Sequence, residues 1–404
     1  MKKLIFLTMS RITDIERRGV YTDVLRKFRS EGWGVYIVTP HERSLGMPTE
    51  LVEKNGVQIL GVKTLNLQKT SAIEKGIGQV TVESLYKSAI KKYFKGIHFD
   101  LILYSTPPIT FPKVIQYLKA VNPQAKTYLL LKDIFPQNAV DLGMMSKSGV
   151  KGVLYRFFRT KEKKLYALSD HIGCMSPANV AYVLKHNPEI SPDRVEVAPN
   201  SVELHPSDTT ENIDRVAVRQ KHGLPVDKPI FIYGGNLGKP QGVPFLIKCL
   251  NANVNRKDCF FVVIGTGTEL PKLMQWYNER KPQSVKVMKG LPRQEYEELA
   301  NSCDVGLIFL DHRFTIPNYP SRLLPYLMTK KPILAATDPN CDTGKIAEEN
   351  GYGLWCESDS VEGFTSAVDK MLKSNLNEMG ERGYDFLCKN YLVDNTYQAI
   401  VKHV

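Results

Sequence analysis

The chain is poor in the features that mark most specialised protein classes. No apolar stretch reaches the ~18 residues that a membrane-spanning helix needs. There is no CxxC pair, and neither the seven cysteines nor the eight histidines fall at the spacing of zinc ligands. The cysteines are odd in number and stand singly, several inside strand-like runs such as DCFFVVIG around Cys259. Reduced, mostly buried thiols of a cytosolic protein are therefore expected. There is no Asp-x-Asp motif and no GK[ST] ending, which removes the Walker phosphate loop. No heptad run persists, no internal repeat is present, and no tract is of low complexity. Glycine (28) and proline (24) are near average and scattered, which excludes a collagen-like chain. The opening MKKLIFLTMSR looks like a signal peptide for only a few residues before the charged RITDIERR, so it reads as a buried first strand.

What is present suits a soluble α/β chain. Of 404 residues, 43% are hydrophobic and 24% charged, ample to bury a core and too apolar for intrinsic disorder. That length predicts two domains, or three. The net charge is +12, and its distribution is uneven: residues 1–205 hold 30 Lys and Arg against 18 Asp and Glu, and the remainder 24 against 24. An excess confined to one half suggests an anionic partner for that half, either an anionic membrane surface, a phosphorylated substrate or nucleic acid. Solvated lysine faces are the plainer alternative. No recognition motif supports nucleic acid.

Apolar runs of five to eight residues alternate with segments of helical period throughout. In the first half the strand candidates are KKLIFLTM, GVYIVTP, VQILGV, DLILYST, KTYLLLKD, HIGCMS and VEVAPN. In the second they are PIFIYGG, CFFVVIG, VKVMKG, VGLIFL, KPILAAT and YGLWCE. Near-continuous apolar strands with helical crossovers mean parallel sheets covered on both faces. Two doubly wound domains follow, residues 1–205 and 206–384. The polar, aperiodic stretch 199–215 reads as the linker. The final helix, DNTYQAIVKHV, could pack back on either domain.

Ligands of open α/β sheets sit at the carboxyl ends of the strands, here expected in a cleft between two facing domains. In the second half, YGGNLGKPQG (233–242) lies between a strand and a helix, and offers Gly235, Asn236, Gly238 and Lys239. Glycines let backbone amides approach a phosphate, and a lysine adds positive potential. A tight turn is the plainer reading. Gly265 and Gly267 follow the next strand, and Gly290–Leu291 the one after. In DHRFTIPNYPSRLLPYL (311–327), Ser321 is a candidate N-cap whose helix amides would form an anion site reinforced by Arg322, or merely a capped surface helix. Together these loops describe a pocket for a nucleotide diphosphate. In the first half, TMSRITDIERRG (8–19) supplies Arg11 and Asp14, and KDIFPQNAVDLG (132–143) supplies Lys132, Asp133, Asn138 and Asp141. Lys132 and Asp133 could instead be a structural ion pair.

In order and spacing, YGGNLGKPQG, VVIGTGTEL, KGLPRQEYEELANSCDVGLIFL and PSRLLPYLMTKKPILAATD resemble the GT-B glycosyltransferases, and within them the retaining family-four group. SDHIGCMS and VEVAPNSVE look like that family's last N-domain strands. The N-terminal stretch and KDIFPQNAVDLG look closest to the subgroup that builds O-antigen and capsular polysaccharide, the WbuB-like amino-sugar transferases.

The resemblance implies two Rossmann-like domains, with the UDP-sugar donor held mainly by the second and a final helix, from about 385, crossing back to the first. It implies transfer with retention, without cofactor or metal, to a polyprenyl-diphosphate-linked glycan. The protein would then be cytoplasmic and peripheral at the inner face of the plasma membrane. Lys239 matches the lysine that meets the diphosphate, the amides after Ser321 the phosphate-binding helix, and Gly290–Leu291 the loop framing the base. Fixed amides, Lys239 and Arg322 would stabilise the leaving phosphate, and Asp133 would orient acceptor or sugar.

The family's pair of glutamates is replaced by Pro317 and Pro325, and Lys132–Asp133 stands where a histidine often lies. Asp338 and Asp342 are the nearest substitutes for the glutamates. Two alternatives follow: a non-catalytic GT-B subunit activating a partner transferase, and a nucleotide-sugar 2-epimerase, for which no acid/base set is evident. Two segments mix basic and aromatic residues as interfacial helices do, 84–96 and 151–164. Their apolar residues could equally face the core.

Overall fold

A computed structural model describes residues 1–67, 72–205 and 213–404. The chain divides into two units, Met1–Glu203 with Leu392–Val404, and Leu204–Tyr391. The first division falls inside the stretch read as a linker, of which residues 206–212 lie outside the described residues. Among the described residues no helix is long and apolar enough to cross a membrane.

Unit 1 is built on β1 (Lys3–Leu7), β2 (Gly34–Glu42), β3 (Glu50–Lys54), β4 (Val57–Thr64), β5 (Leu101–Ser105), β6 (Lys126–Leu131), β7 (His171–Cys174) and β8 (Val195–Val197). Their order in the sheet is β3-β4-β2-β1-β5-β6-β7-β8. All neighbours are parallel except β3, which pairs antiparallel with β4. Strand β3 is absent from the expected series. Its sequence, ELVEK, is too polar and too exposed to read as a buried strand. What makes it a strand is the turn that follows, where Asn55 (φ 52°) and Gly56 (φ 73°) fit a two-residue hairpin. The crossovers are α1 (Val20–Ser30), α2 (Ala72–Tyr93), α3 (Pro112–Val121), α4 (Gln137–Asp141), α5 (Gly149–Leu168) and α6 (Pro177–His186).

Unit 2 begins with α7 (Arg215–Lys221). Its sheet has β9 (Ile230–Asn236), β10 (Phe260–Thr266), β11 (Val285–Lys289), β12 (Val305–Phe309), β13 (Ile333–Thr337) and β14 (Gly353–Glu357). The order is β11-β10-β9-β12-β13-β14, parallel throughout, with the reversal between β9 and β12. The helices are α8 (Val243–Ala252), α9 (Leu270–Arg280), α10 (Arg293–Ser302), α11 (Leu323–Met328), α12 (Thr343–Glu349), α13 (Val361–Lys373) and α14 (Leu376–Asn390). Every residue of β12 and β13 is buried, as a sheet covered on both faces requires. Phe231, Phe261, Phe309 and Phe364 pack ring on ring at its centre.

The return to unit 1 comes at residue 392, against an expected position of about 385. Helix α14 runs unbroken through residue 385 and is fixed to unit 2 by close contacts at two glycines. A Cβ on Gly380 would lie 2.0 Å from the Lys330 carbonyl, and one on Gly383 2.9 Å from Leu327. The returning helix, α15 (Val393–Val401), closes the core of unit 1. Tyr397 meets Phe28 edge to face, ring centroids 4.9 Å apart, and its hydroxyl accepts from Trp33 Nε1 at 3.3 Å. Six of the seven cysteines are buried, Cys388 is half-buried, and none is in a disulfide.

Candidate functional site

The carboxyl ends of β9, β10 and β11 lie side by side, and their loops interlock through backbone. The Leu237 amide donates to the Thr266 carbonyl (2.8 Å), and the Glu269 amide to the Leu237 carbonyl (2.9 Å). A Cβ on Gly265 would stand 2.0 Å from the Gly235 carbonyl oxygen, one on Gly267 2.4 Å from the Leu237 backbone, and one on Gly290 2.9 Å from Thr266. Gly265 and Gly267 thus answer first to loop-on-loop packing. Gly235, at φ +119° and exposed, is the glycine that opens backbone to solvent. Gly234 beneath it is fixed differently. Its amide donates to the Tyr326 hydroxyl (3.3 Å), and the Tyr296 hydroxyl occupies the space a side chain would need.

The loop after β9 is tied together by Gln241. Gln241 Oε1 accepts from the Gly238 amide (3.1 Å) and from Asn236 Nδ2 (3.2 Å), so Asn236 is held at the mouth by its neighbour's side chain. Lys239 is exposed at the start of a 3-10 turn, Lys239–Gln241. The following turn leans on the loop after β12, where the Asp311 amide donates to the Pro240 carbonyl (2.9 Å). Burial pushes the Asp311 carboxyl up, but the bidentate Arg313 (2.8 Å to each oxygen) outweighs it and holds the group below its ordinary range.

Arg322 is the most telling side chain. Its guanidinium carbon lies 4.3 Å from the centroid of the Tyr233 ring, and Nη2 would be 3.8 Å from a Cβ on Gly235. Nη1 is buried without a hydrogen-bond partner. An arginine held over a ring beside an open glycine turn, with a donor unspent, is prepared for an anion. Tyr233 was not among the expected site residues. Inside an apolar run it reads as core, and only the fold sets its ring under Arg322.

Three expectations change here. Ser321 does not cap a helix: Arg322 is the N-cap of α11, and no side chain bonds the cap. The Leu323 and Leu324 amides are already spent on Pro320 and Ser321 carbonyls (3.1 and 3.3 Å). What this loop offers is therefore the Arg322 side chain rather than free amides. Asp338 is wholly buried: Oδ1 accepts from the Asn340 and Cys341 amides (3.0 Å each), and burial pushes its carboxyl up to about 7. Asp338 builds a turn rather than facing solvent. That turn anchors the 311–322 loop, since Asn340 Nδ2 donates to the Phe314 carbonyl (2.7 Å) and Cys341 Sγ to the Asn318 carbonyl (2.9 Å). Asp342, half-buried, is the N-cap of α12, and its side chain makes no cap bond. Pro317 is buried and Pro325 exposed.

In unit 1, Lys132 and Asp133 follow β6, yet they do not pair. Lys132 Nζ donates to the Ala198 carbonyl (3.1 Å), and burial lowers its pKa to about 7. Both Asp133 carboxyl oxygens accept from Asn138 Nδ2 (2.8 Å), and burial, partly offset by that bond, pushes Asp133 up to about 6. Thr106 Oγ1 accepts from both backbone amides (3.0 and 3.3 Å), which fixes the turn. Asn138, on α4, thus fixes the orientation of the Asp133 carboxyl. Asp14 is elsewhere. It accepts from Lys54 and Asn55 at the hairpin that opens β4, toward the opposite strand ends, and those bonds hold its carboxyl at about 2. Arg11 is exposed, its Nη2 3.6 Å from Met47 Sδ. Among the described residues no group of three or more His, Cys, Asp or Glu side chains could hold a metal ion.

Two doubly wound units with parallel sheets, the second carrying its glycine loops at the strand ends beside the order reversal, are the fold of the GT-B glycosyltransferases. Residues 214–386, all within unit 2, match the family model described as glycosyl transferases group 1. Among curated proteins, the chain is 22% identical over 328 residues to a probable glycosyltransferase, WbjE, of Pseudomonas aeruginosa, covering 80% of this chain and 78% of that one. It is 21% identical over 300 residues to WcaI, a putative colanic acid biosynthesis glycosyl transferase of Escherichia coli K12, covering 73% and 71%. Among solved structures, it superposes on Anabaena HepE in complex with UDP with a TM-score of 0.68 at 14% identity, over 100% of this chain and 99% of that one.

Proposed function

We propose that the chain transfers a sugar, with retention, from a UDP-sugar to a lipid-linked glycan in the assembly of a surface polysaccharide. The observation that carries this reading is Arg322, held over Tyr233 beside Gly235 with Nη1 unspent. A diphosphate leaving group gathers negative charge as the glycosidic bond breaks. A preorganised guanidinium, with Lys239 exposed on the same loop system, is placed to receive that charge without reorganisation. The name of WbjE supports a glycosyltransferase, that of WcaI, with its colanic acid, supports a polysaccharide pathway, and the UDP bound to HepE supports a uridine donor. An N-acetylated amino sugar as the donor group, a polyprenyl diphosphate as acceptor anchor, independence from metal, and work at the inner face of the plasma membrane complete the proposal. Asp133 is proposed as the acceptor-side carboxylate, held in one orientation by Asn138.

The test is calorimetric titration of the purified chain with UDP, with Arg322→Ala alongside. Binding in the wild type that weakens at least tenfold in the variant supports the reading. Absence of binding by the wild type overturns it. A second reading, a non-catalytic subunit, draws on the prolines at 317 and 325, whose side chains cannot accept hydrogen bonds from a ribose or sugar. Donor turnover by the chain alone, with a lipid-linked acceptor, separates the two.

A further inference from the structure

Beyond the apolar contacts of α15 itself, the residues that follow the helix are fastened to unit 1 by a polar cluster. Three neighbouring strands build its floor. Tyr128 on β6 pairs with His171 on β7, and Gly173 on β7 with Glu196 on β8. A Cβ on Gly173 would stand 2.7 Å from the Tyr128 hydroxyl. The glycine therefore lets that hydroxyl pass over β7 and donate to Glu196 Oε1 (2.9 Å). Lys402 and His403 close on this floor. Lys402 Nζ pairs with Glu196 Oε2. His403 Nε2 donates to Glu196 Oε1 (2.8 Å), since an ionised carboxylate can only accept. The His403 ring lies flat on the His171 ring, centroids 3.5 Å apart and planes inclined by 12°. Lys2 Nζ adds a bond to the Val404 carbonyl (3.0 Å).

The two stacked rings are not equally provided for. Burial pushes the Glu196 carboxyl up, but bonds from Lys402, His403 and Tyr128 outweigh it and hold the group below its ordinary range. Glu196 thus stays an anion and serves His403 in either charge state. Burial raises the Tyr128 hydroxyl well above its ordinary value, so it remains a donor. His171 has no such support, and its Nδ1 is buried without a hydrogen bond. Asp170, next to it in sequence, has its carboxyl committed to Lys119 Nζ (2.9 Å) and the Thr127 amide (2.8 Å). Asp193 is exposed and bonded to Ser191, and Lys126 on β6 is a further exposed cation. Burial, and next the His403 ring, lower the His171 pKa from its ordinary 6.5. A proton on Nδ1 would be a buried N–H without an acceptor, in a cation laid against a second imidazole.

We propose that the His171–His403 stack is an acid-sensitive latch on α15, which holds the helix on unit 1 while His171 is neutral and releases it when His171 takes up a proton. Two phenyl rings would fasten the helix unconditionally, whereas a pair of imidazoles makes the fastening depend on proton concentration. In the released state His171 regains its ordinary affinity for a proton, which the latched state lowers. Below pH 6.5 protons therefore favour release, and the latch strengthens again as pH rises. Release reaches the core of unit 1, because Tyr397 on α15 packs against Phe28 and bonds Trp33. The unit loosened is the one that carries Lys132 and Asp133, while unit 2 has no part in the latch. The latch is independent of the transfer reaction and can be read without any substrate.

The experiment is hydrogen exchange of the full chain, read by mass spectrometry at about pH 7.5 and about pH 5.5 and corrected for the intrinsic rate. One pH unit below 6.5, a single histidine that is refused its proton can contribute up to about tenfold. Peptides covering α15 should accordingly open about five- to tenfold more readily at the lower pH, and those of β12 and β13 should not. The change should reverse on return to the higher pH. His171→Phe keeps a ring in the stack without the charge, and should reduce the ratio between the two pH values to less than about twofold. His403→Gln removes the second imidazole and should also lower the ratio, which keeps the test intact if His171→Phe does not fold. Glu196→Gln should loosen α15 at both pH values and leave the ratio in place. Equal protection of α15 at the two pH values would overturn the latch, as would an undiminished ratio in His171→Phe or, if that variant does not fold, in His403→Gln. So would a loss shared equally by unit 2, which would mark general acid unfolding, or a ratio abolished by Glu196→Gln alone, which would make the carboxylate the sensor.

Discussion

Arg322 and Tyr233 form a stacked pair, guanidinium carbon 4.3 Å from the ring centroid, and the same tyrosine hydroxyl donates to the Asn236 carbonyl at 2.7 Å. One residue therefore supports both the cation and the turn over which that cation lies. Removing the cation and removing its support should have separable effects. Arg322→Ala is expected to weaken UDP binding by about 2 kcal/mol, as for a lost charged hydrogen bond. Tyr233→Leu should cost about 1 kcal/mol of the same affinity through the lost stacking, and should also lower the melting temperature. Calorimetry and thermal melting of the two variants check this, and equal UDP affinities in Arg322→Ala and the wild type would refute it.

Lys239 is exposed, so its contribution is screened. Lys239→Ala should weaken UDP binding by about 1–2 kcal/mol, and the difference from wild type should shrink at high salt. An affinity unchanged at low salt would remove Lys239 from the site.

The interlocked loops make a sharper structural prediction. Gly267→Ala would place a methyl carbon 2.4 Å from the Leu237 backbone, and Gly265→Ala one 2.0 Å from the Gly235 carbonyl. Each should destabilise unit 2 by about 2 kcal/mol or more, because backbone rather than a flexible side chain must move. UDP affinity should fall with stability. Wild-type urea midpoints in both variants would contradict the packing described.

The sign of one pH effect follows from Lys132. Burial lowers its pKa to about 7 from an ordinary value of 10.5, so between those values the unfolded chain holds more protons than the folded one. Stability gained from deprotonation therefore rises with pH across that window. Relative to Lys132→Met, the wild type should become steadily more stable from pH 7 toward pH 10. Parallel stability curves for the two proteins would show that the Lys132 ammonium keeps its ordinary pKa in the folded chain.

Deleting Leu392–Val404 should uncover Phe28 and Trp33 and cost unit 1 several kcal/mol, on the scale of large-to-small changes in a core. A red-shifted tryptophan emission and an earlier unfolding transition are the expected readouts. An unaltered melting curve would show that α15 contributes nothing to the fold.

Much of this architecture is legible from residue pattern, because fully buried parallel strands read as apolar runs and their crossovers as helical ones. Strand β3 escapes that reading because its identity lies in the Asn55–Gly56 turn rather than in its own polar residues. The glycine loops are equally visible, but their reason is not. Sequence shows Gly265 and Gly267 after a strand, and only the neighbouring loop reveals that backbone fills the place of their side chains. Ser321 fails as a cap because the turn before α11 is closed by Pro320 and Ser321 carbonyls, a choice made by the anchored 311–322 loop. Lys132 and Asp133, adjacent in sequence, turn to different partners, as neighbours beyond a strand end do. Asp14 shows the limit of placing a residue by the strand it follows, since a long loop can carry it toward the other end of the sheet.

Because Val393–Val401 completes the core of unit 1, the order of synthesis and the order of assembly do not coincide. The ribosome delivers every strand of β1–β8 before unit 2 begins, yet the slot beside Phe28 and Trp33 stays open until all of unit 2 has emerged. Unit 2 is contiguous and can finish folding as soon as it is made. Unit 1 must wait, with aromatic surface uncovered, through the translation of more than a hundred and eighty residues that belong to its partner. A nascent chain stalled before residue 392 would thus hold one finished unit and one unfinished, and chaperone capture should fall on the unit that was begun first.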